Sequence, residues 1–313
     1  MNILFFGTSS VSRYYLEELY KNSYKILVVT KFDKIIFNKN KSIQSEVKTY
    51  AVENNIDFIQ VDEFTNNIIN EIKKFNADIG IVVSYGKFIP SNIYNIPKFK
   101  TFNIHFSLLP KFRGASPVQY ALCNGEVETG VSSFFIEDNF DTGNIIIQKK
   151  LTIDANDTAY SLLNRLIQLG ITVMNNTIKL LYNNEYNVSP QIGSPSFAPS
   201  LKKKDGLIDW GKSANVVYNK FRGLYVWPNV YSVVKFGKLS GKKIIFIEME
   251  IFDNYSVNKN FGTVHSIEKN SGFIVLCAVG KILITKVKIE NKHIMYAWNF
   301  MQGKQLLIGD SFC

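Results

Sequence analysis

The sequence predicts an α/β protein in which a domain built on a parallel sheet precedes a smaller domain of short strands, a barrel or a sandwich. Two observations predict this fold class. Over the first half of the chain, short apolar runs alternate with amphipathic stretches, which is the pattern of β-α-β units. After residue 204, several short strand-like runs follow one another with turn residues between them.

The elements of the first half each have a local signal. Residues 2–6 are an apolar run that predicts a buried strand, and Gly7 opens a turn before a helical face at residues 11–20. The same reasoning predicts strands at 24–30, 57–61, 77–84 and 101–105, with a helical face over 68–75. Two adjacent strands are predicted at 129–136 and 144–151, and a long helix from Asp157 to about Tyr182.

The domain boundary is predicted from composition. Residues 183–204 hold three prolines, several serines and the run Lys202-Lys203-Lys204, which together are typical of a linker. We therefore predict an N-terminal domain at 1–189, a linker at 190–204 and a C-terminal domain at 205–313. The C-terminal domain has a predicted helix at 213–221 and an alternating run at 245–252. Further strands are predicted at 262–267, 272–278 and 281–289, with turn residues between them.

Composition limits the class of protein. With 46% hydrophobic and 20% charged residues among 313, the chain can bury a large core, and disorder is disfavoured. Apolar runs stay below the roughly 18–20 residues that span a bilayer, so we expect no membrane association. The three cysteines lie far apart, which argues against a disulfide framework. The first strand begins at the second residue, so we expect no signal peptide and a cytoplasmic protein.

The net charge of +10 is concentrated near the end of the chain. Residues 1–200 carry a net +1, whereas residues 201–313 carry +9. This asymmetry favours a polyanionic partner for the C-terminal part. A lysine bias of the whole genome is the alternative, although such a bias should be even along the chain. Five lysines also lie within 31–48, which is predicted as a long polar loop and is either a nucleic-acid contact or a solvated loop.

The strongest candidate site begins at the end of the predicted strand 101–105. Asn103 and His105 are two residues apart, so they share one face of that strand. Ligands of open parallel sheets bind beyond the carboxyl ends of the strands, where an amide donor beside an imidazole could activate a carbonyl. A structural histidine is the alternative. Asp141 lies in an Asp-rich turn and becomes a site residue only if the fold brings it to His105. The turn after strand 2–6 has a single glycine, Gly7, which disfavours a dinucleotide site.

Five segments together carry a family resemblance. They are 103–110 (NIHFSLLP) with Arg113-Gly114 and Pro117, 141–143 (DTG), 83–90 (VSYGKFIP), 197–210 (FAPSLKKKDGLIDW) and 222–228 (RGLYVWP). This set resembles the folate-dependent formyltransferase family over nearly the whole chain. The chain departs from the family's pattern in two places. Segment 31–48 keeps its positive charge but has no Arg or Gly, and the match to the family is patchy after Pro228.

The resemblance implies a Rossmann-like catalytic domain followed by an OB-like barrel. It also implies a reaction in which the formyl group of 10-formyltetrahydrofolate moves to the amino group of methionine esterified to initiator tRNA. By motif match, the catalytic residues would be Asn103, His105 and Asp141. The folate site would be formed by Ser107, Leu108, Leu109, Pro110, Ser84, Tyr85, Gly86, Lys87, Phe88 and Ile89. We expect tRNA contacts from Lys34, Lys39, Lys41, Lys202, Lys203 and Lys204, no metal, and a monomer.

These residue types suit acyl transfer to an amine. The Asn103 amide could donate to the oxyanion that forms, and His105 could carry the proton from the attacking amine to the leaving nitrogen. Asp141 would orient the imidazole and stabilise its charged form. Three alternatives remain open: a formyltransferase acting on glycinamide ribonucleotide or an amino sugar, a hydrolase that releases formate from formyltetrahydrofolate, and a non-enzymatic RNA-binding protein.

Overall fold

The computed structural model describes residues 1–36, 41–303 and 306–313. The chain forms two compact units. The first contains residues 1–117, 128–152 and 164–198, and the second contains residues 118–127, 153–163 and 199–313. The predicted linker is therefore divided between them, because residues 190–198 belong to the first unit and residues 199–204 to the second.

The first nine strands and first six helices occupy residues 2–182. The strands are β1 (Asn2–Gly7), β2 (Lys25–Thr30), β3 (Lys34–Ile36), β4 (Lys41–Ile43), β5 (Asp57–Gln60), β6 (Ile79–Val83), β7 (Thr101–His105), β8 (Glu128–Phe135) and β9 (Ile145–Thr152). The helices are α1 (Ser10–Lys21), α2 (Glu46–Glu53), α3 (Asn66–Phe75), α4 (Ser91–Tyr94), α5 (Pro117–Cys123) and α6 (Ala159–Tyr182).

A seven-stranded sheet organises the first unit, in the order β5-β2-β1-β6-β7-β8-β9. The first five strands of that order are parallel, and β8 and β9 add to them in antiparallel fashion. Strand β6 is buried along its whole length, as expected for an apolar strand covered on both faces. The predicted Rossmann-like sheet is confirmed. The strand order reverses between β1 and β6, so the carboxyl ends of β1, β6 and β7 adjoin the place where such sheets bind ligands.

The turn after β1 is structural. Ser9 caps α1 by accepting a hydrogen bond from the Ser12 backbone N–H. The Ser12 hydroxyl donates to the Val83 carbonyl at 2.6 Å and joins this turn to the end of β6. A Cβ on Gly7 would lie 2.7 Å from Ser12, so the position requires glycine.

Segment 31–48 departs from the prediction of a long polar loop. It contains the short antiparallel strands β3 and β4 and the first turn of α2. Helix α2 begins there because the Ser45 hydroxyl accepts a hydrogen bond from the Lys48 N–H. The Lys48 ammonium also binds Asp33 at 2.8 Å, and both side chains are largely buried. Lys48 therefore connects the start of α2 with Asp33 within this segment.

Six strands and two helices complete the second unit. They are α7 (Ala214–Gly223), β10 (Val230–Val233), β11 (Lys243–Val257), β12 (Val264–Glu268), β13 (Gly272–Leu276), β14 (Val279–Ile289), β15 (Ile294–Tyr296) and α8 (Ala297–Gln302). The sheet is entirely antiparallel, in the order β10-β11-β14-β13-β12, with β15 paired to β14.

Residues 311 and 312 join the two edges of this sheet. Phe312 bridges Val234, next to β10, and Ser311 bridges Thr263, next to β12. Four backbone hydrogen bonds of 2.8 to 2.9 Å hold these residues and their neighbours: Lys235 N–H to Ser311 O, Cys313 N–H to Val233 O, Phe312 N–H to Gly262 O and Val264 N–H to Asp310 O. The pairing gives the sheet a barrel-like form, which agrees with the predicted C-terminal domain.

An aromatic cluster fills the interior of this sheet. Phe312 stacks on Trp210 with ring centroids 6.1 Å apart and meets Phe246 edge to face at 5.6 Å. The Trp210 indole N–H donates to the buried Ser232 hydroxyl at 2.9 Å, so its polar atom is satisfied inside the core. These contacts bury the end of the chain in the hydrophobic core of the second unit.

Arg222 ties an earlier part of the chain into the second unit. Its guanidinium is buried and donates to the carbonyls of Asp154, Ala155 and Asp157 at 3.1 to 3.2 Å. It also donates to the Asn219 side chain at 2.7 Å. Burial lowers the pKa of Arg222, although that of an arginine stays far above neutrality. Among residues 1–36, 41–303 and 306–313, no helix combines the length and the apolar character needed to cross a membrane.

Candidate active site

Strand β7 positions two of the predicted catalytic side chains. Asn103 pairs with Val82 of β6 and Phe134 of β8, and His105 pairs with Ser132 of β8. Both therefore lie on one face of β7, at the carboxyl end of the strand. Asn103 is half-buried, and its carboxamide makes no hydrogen bond with any described residue.

The imidazole of His105 is held by a backbone carbonyl. Nε2 lies 2.9 Å from the carbonyl oxygen of Phe112, and the ring is 6% exposed. Since a carbonyl can only accept, Nε2 carries the hydrogen, and Nδ1 of the neutral ring holds the lone pair. The ring of Phe134 packs edge-on against the imidazole at 6.5 Å. The Phe112 carbonyl therefore holds the ring through Nε2, and the predicted orienting role of Asp141 stays a prediction.

Asp141 lies on the Nδ1 side of this ring. Its Oδ2 is 3.8 Å from His105 Nδ1, which is too long for a hydrogen bond but suits an ion pair once the ring is protonated. The same oxygen accepts a hydrogen bond of 2.8 Å from the Gly114 N–H. Asp141 has a φ of +57°, a left-handed conformation that is uncommon outside glycine and that clusters at functional sites. The fold thus brings together the two groups whose proximity the sequence could not show.

The predicted folate loop, residues 84–89, follows β6. Lys31 donates to the Gly86 carbonyl at 2.8 Å and Thr8 to the Tyr85 carbonyl at 3.3 Å. Burial lowers the pKa of Lys31, and the charges of Lys87 and Lys34 lower it further. Lys87 in turn pairs with Asp62 at 2.7 Å. The carboxyl ends of β1, β2 and β6 are therefore joined through this loop.

The side chains of the folate loop divide between core and surface. Tyr85 and Ile89 are buried, and burial with a smaller effect of Asp62 raises the pKa of Tyr85 to about 12. The Tyr85 hydroxyl has no partner among the described residues. Ser84, Gly86 and Phe88 are exposed, and Phe88 meets Phe140 edge to face at 6.0 Å. The folate-binding role of the loop stays a prediction.

Residues 107–110 form the loop that leaves β7, and most of their side chains point inward. Ser107 is buried and donates to the Lys111 carbonyl at 2.6 Å, and Leu109 and Pro110 are buried as well. The buried Ser132 hydroxyl donates to the Ser107 carbonyl at 2.7 Å and accepts from the Leu109 N–H at 3.2 Å. Leu108 is half-buried. The folate-lining role of these residues stays a prediction.

Residues 189–198 border the site. The sequence predicted a linker from residue 190, and the family resemblance included residues 197 and 198, but neither gave this stretch a role at the site. Ser189 bridges Ile145, the first residue of β9. Gln191 donates to the carbonyls of Asp141 and Gly143. Ser196 accepts a hydrogen bond of 2.9 Å from the Phe112 N–H. Composition alone could not find these contacts, because most of them involve backbone atoms, which leave no side-chain pattern.

The predicted tRNA-binding lysines that the structure describes fall in two places. Lys34 is exposed on β3, and Lys202, Lys203 and Lys204 are exposed at a 3-10 turn that ends at Gly206. Lys39 and the side chain of Lys41 lie outside the described residues. The tRNA-binding role of these lysines stays a prediction.

Two other features of the described residues lie outside this site. A cavity of about 380 Å³ is lined by Lys73, Asn76, Asn92, Asn95 and Ile96, which lie in α3, in α4 and just after these helices. The part of the chain that the structure describes has no group of three or more His, Cys, Asp and Glu side chains that could hold a metal ion.

The comparisons identify the class of protein. The formyl transferase family matches residues 1–178, and the C-terminal domain of formyl transferases matches residues 200–305. The chain therefore belongs to the formyl transferase family, as the sequence motifs predicted. It is 56% identical to the methionyl-tRNA formyltransferase of Endomicrobium trichonymphae and 34% identical to that of Fusobacterium nucleatum subsp. nucleatum. Each alignment covers all of both chains.

Solved structures agree on the fold. A crystal structure of an N-formyltransferase from Helicobacter canadensis, in complex with folinic acid and dTDP-3-aminofucose, superposes with a TM-score of 0.67 at 24% identity. That alignment covers 90% of this chain and 98% of the other. A sugar 3N-formyl transferase superposes with a TM-score of 0.65 at 24% identity, over 94% of this chain and 99% of the other.

Proposed function

We propose that the protein transfers the formyl group of 10-formyltetrahydrofolate to the amino group of methionyl-initiator tRNA. The full-length identity of 56% to a methionyl-tRNA formyltransferase supports the substrates. The observation that carries the chemistry is the approach of Asp141 Oδ2 to within 3.8 Å of His105 Nδ1, on the strand that also presents Asn103. The protein acts as a monomer in the cytoplasm, with residues 1–189 as the catalytic domain and residues 205–313 as the tRNA-binding domain.

The half-buried carboxamide of Asn103 fits the formyl oxygen. Attack of the amine on the formyl carbon forms a new C–N bond and places negative charge on that oxygen. The Asn103 NH₂ has no partner among the described residues, so it can donate to the oxygen as the charge develops. One donor of this kind is worth about 10²–10³ in rate.

His105 is suited to moving the proton. The attacking nitrogen must lose a proton, and the folate nitrogen must gain one as its bond to the formyl carbon breaks. The hydrogen bond from Nε2 to the Phe112 carbonyl leaves Nδ1 as the basic nitrogen, and Asp141 stabilises the imidazolium that forms there. An α-amino group has a pKa of about 7.7–8.0, so a neutral fraction of the nucleophile exists without a strong base.

The direct test is a transfer assay. The full-length protein is incubated with 10-formyltetrahydrofolate and methionine-charged initiator tRNA, and N-formylmethionine is measured after hydrolysis of the ester. We expect formylmethionine in the complete reaction and background levels when either the folate or the aminoacyl group is left out. Absence of formylmethionine in the complete reaction would refute the proposal.

Two further arms separate the alternatives. Formate release with water alone would indicate a hydrolase, and faster formylation of an amino-sugar nucleotide than of methionyl-tRNA would indicate a different acceptor. A non-enzymatic RNA-binding protein would bind the tRNA and give no product in any arm. We expect methionyl-tRNA to be the preferred acceptor by a wide margin.

A further inference from the structure

We propose that residues 189–198 act as a positioning segment for the active site, with Gln191 as its central residue. This inference rests on the function proposed above. Gln191 touches neither the His105 ring nor the Asp141 carboxylate. It acts through the backbone of the turn that carries Asp141, so it is a positioning residue.

Gln191 uses both ends of its carboxamide. Nε2 donates to the Asp141 carbonyl at 2.8 Å and to the Gly143 carbonyl at 3.0 Å. Oε1 accepts two hydrogen bonds from Arg113, 2.7 Å from Nη2 and 3.2 Å from Nε. One side chain therefore connects the turn of Asp141 with the loop that contains Arg113 and Gly114.

The turn held by Gln191 needs external support. Asp141 is in the left-handed region, which Asp adopts more readily than most residues but less readily than glycine, and the neighbouring Gly143 has no room for a Cβ beside the Phe135 carbonyl. The amide donations of Gln191 stabilise this conformation from outside the turn. Since the Asp141 carboxylate projects from that backbone, its distance to His105 depends on them.

The same segment supports the other catalytic loop. Phe112 is also left-handed, with a φ of +59°, and its carbonyl is the group that holds His105. The Ser196 hydroxyl accepts from the Phe112 N–H, and the backbone of Arg113 pairs with Ser196 and Ala198 at 2.7 to 2.8 Å. A single stretch of ten residues therefore fixes the supports of both His105 and Asp141.

The test compares two substitutions at residue 191. Gln191→Glu keeps an acceptor for Arg113 but removes the N–H groups that donate to the Asp141 and Gly143 carbonyls. Gln191→Ala removes both the acceptor and the donors. We expect each to lower kcat about 10- to 100-fold, because displacing a catalytic group by about 1 Å costs up to 10²-fold. We expect KM for both substrates to change less than about threefold. Gln168→Ala is the matched control, since that glutamine is exposed on α6.

The two variants separate positioning from simple anchoring. If Gln191 only anchored its segment to Arg113, Gln191→Glu would retain near wild-type kcat, and this result would overturn the proposal. Loss of kcat in Gln191→Glu with an unchanged melting temperature supports it. If the wild-type protein formylates methionyl-tRNA and both variants have the same kcat, the positioning role is refuted and the proposed function is unaffected.

A double-mutant cycle with Asp141→Asn gives the sharper answer. If Gln191 acts through Asp141, then Gln191→Ala should cost less than about twofold in the Asp141→Asn background, because the interaction is already lost. Independent, multiplicative losses would show that Gln191 does not act through Asp141. A crystal structure of Gln191→Ala provides a readout without activity: we expect the separation of Asp141 Oδ2 and His105 Nδ1 to increase, and an unchanged 3.8 Å would contradict the inference.

Discussion

The two compact units are built for different kinds of contact. In the first, the side chains of Asn103, His105 and Asp141 lie near the carboxyl end of β7. The backbones of Asp141 and Phe112 adopt left-handed conformations, and hydrogen bonds hold both residues. The second contains residues 201–313, which include an antiparallel sheet and carry a net +9. A site of the first kind depends on placement to within about an ångström. A surface of the second kind sums many small electrostatic contributions.

The largest single-residue effects are therefore expected in the first unit. His105→Ala and Asp141→Asn should each lower kcat about 10²–10⁴-fold, because proton transfer loses its carrier or the carrier loses its counter-charge. Steady-state kinetics at saturating tRNA measures this loss, and circular dichroism checks the fold. His265→Ala, an exposed histidine of β12, is the matched control. Turnover near that of the wild type in either variant would remove the chemical basis of the proposed function.

The sensitive point of the second unit is expected to be its stability. Phe312→Ala should lower the free energy of unfolding by about 3–5 kcal/mol, because it opens a cavity beside Trp210 and Phe246. Urea titration followed by tryptophan fluorescence measures the loss. Leu307→Ala removes a residue that is 52% exposed and should cost less than about 1 kcal/mol. Equal losses in the two variants would mean that residues 311–312 do not hold the sheet closed.

Charge removal in the second unit should give a smaller and salt-dependent effect. Replacing Lys202, Lys203 and Lys204 together with Gln should raise KM for tRNA several-fold and leave kcat within about twofold. If all three contact phosphates, the slope of log affinity against log salt should fall in magnitude by about 2–3. The matched control replaces Lys73 and Lys74, exposed on α3, in the same way. An unchanged slope would assign the tRNA contact to other residues.

The smallest expected effect is at the ion pair of segment 31–48. The hydrogen bond from Lys48, with a further one from Gln60, lowers the pKa of Asp33 in the folded protein. A lowered carboxyl pKa adds stability above the unfolded value of about 3.9, and this stability is lost as pH falls through the folded value. Asp33→Asn should therefore cost up to about 1 kcal/mol at pH 7, and the difference should vanish in acid. Urea titrations at a series of pH values from 7 downwards measure it; a cost that does not shrink as the pH falls would point to packing.

The apolar patterns were sufficient to predict most of the fold. Runs such as residues 2–6 and 101–105 lie within a few residues of the observed strands. A strand that is buried on both faces needs an almost continuous apolar run, and such a run is recognisable in the sequence. The placement of Asn103 and His105 followed from the same argument. Strands β3 and β4 were missed because three-residue strands have too little periodicity to register against a lysine-rich background.

The supports of the site could not be predicted in the same way. Gln191 lies between Pro190 and Gly193 in a stretch whose composition resembles a linker, yet it binds backbone carbonyls of a turn 50 residues earlier. Phe112 acts through its carbonyl, so its side-chain identity carries no signal for that role. Closure of the second sheet depends on bridges made by Ser311 and Phe312 to two distant strands, and two residues have no measurable periodicity.

The hydrogen bonds from Arg222 to three carbonyls limit which parts of this protein can be transferred to another protein. The chain passes from one unit to the other after residues 117, 127, 152, 163 and 198, so no single cut separates them. A fragment starting near residue 199 would leave the guanidinium without the acceptors at 154, 155 and 157. Transplanting the basic sheet alone therefore requires redesign of that position, or a chimera that also carries residues 118–127 and 153–163.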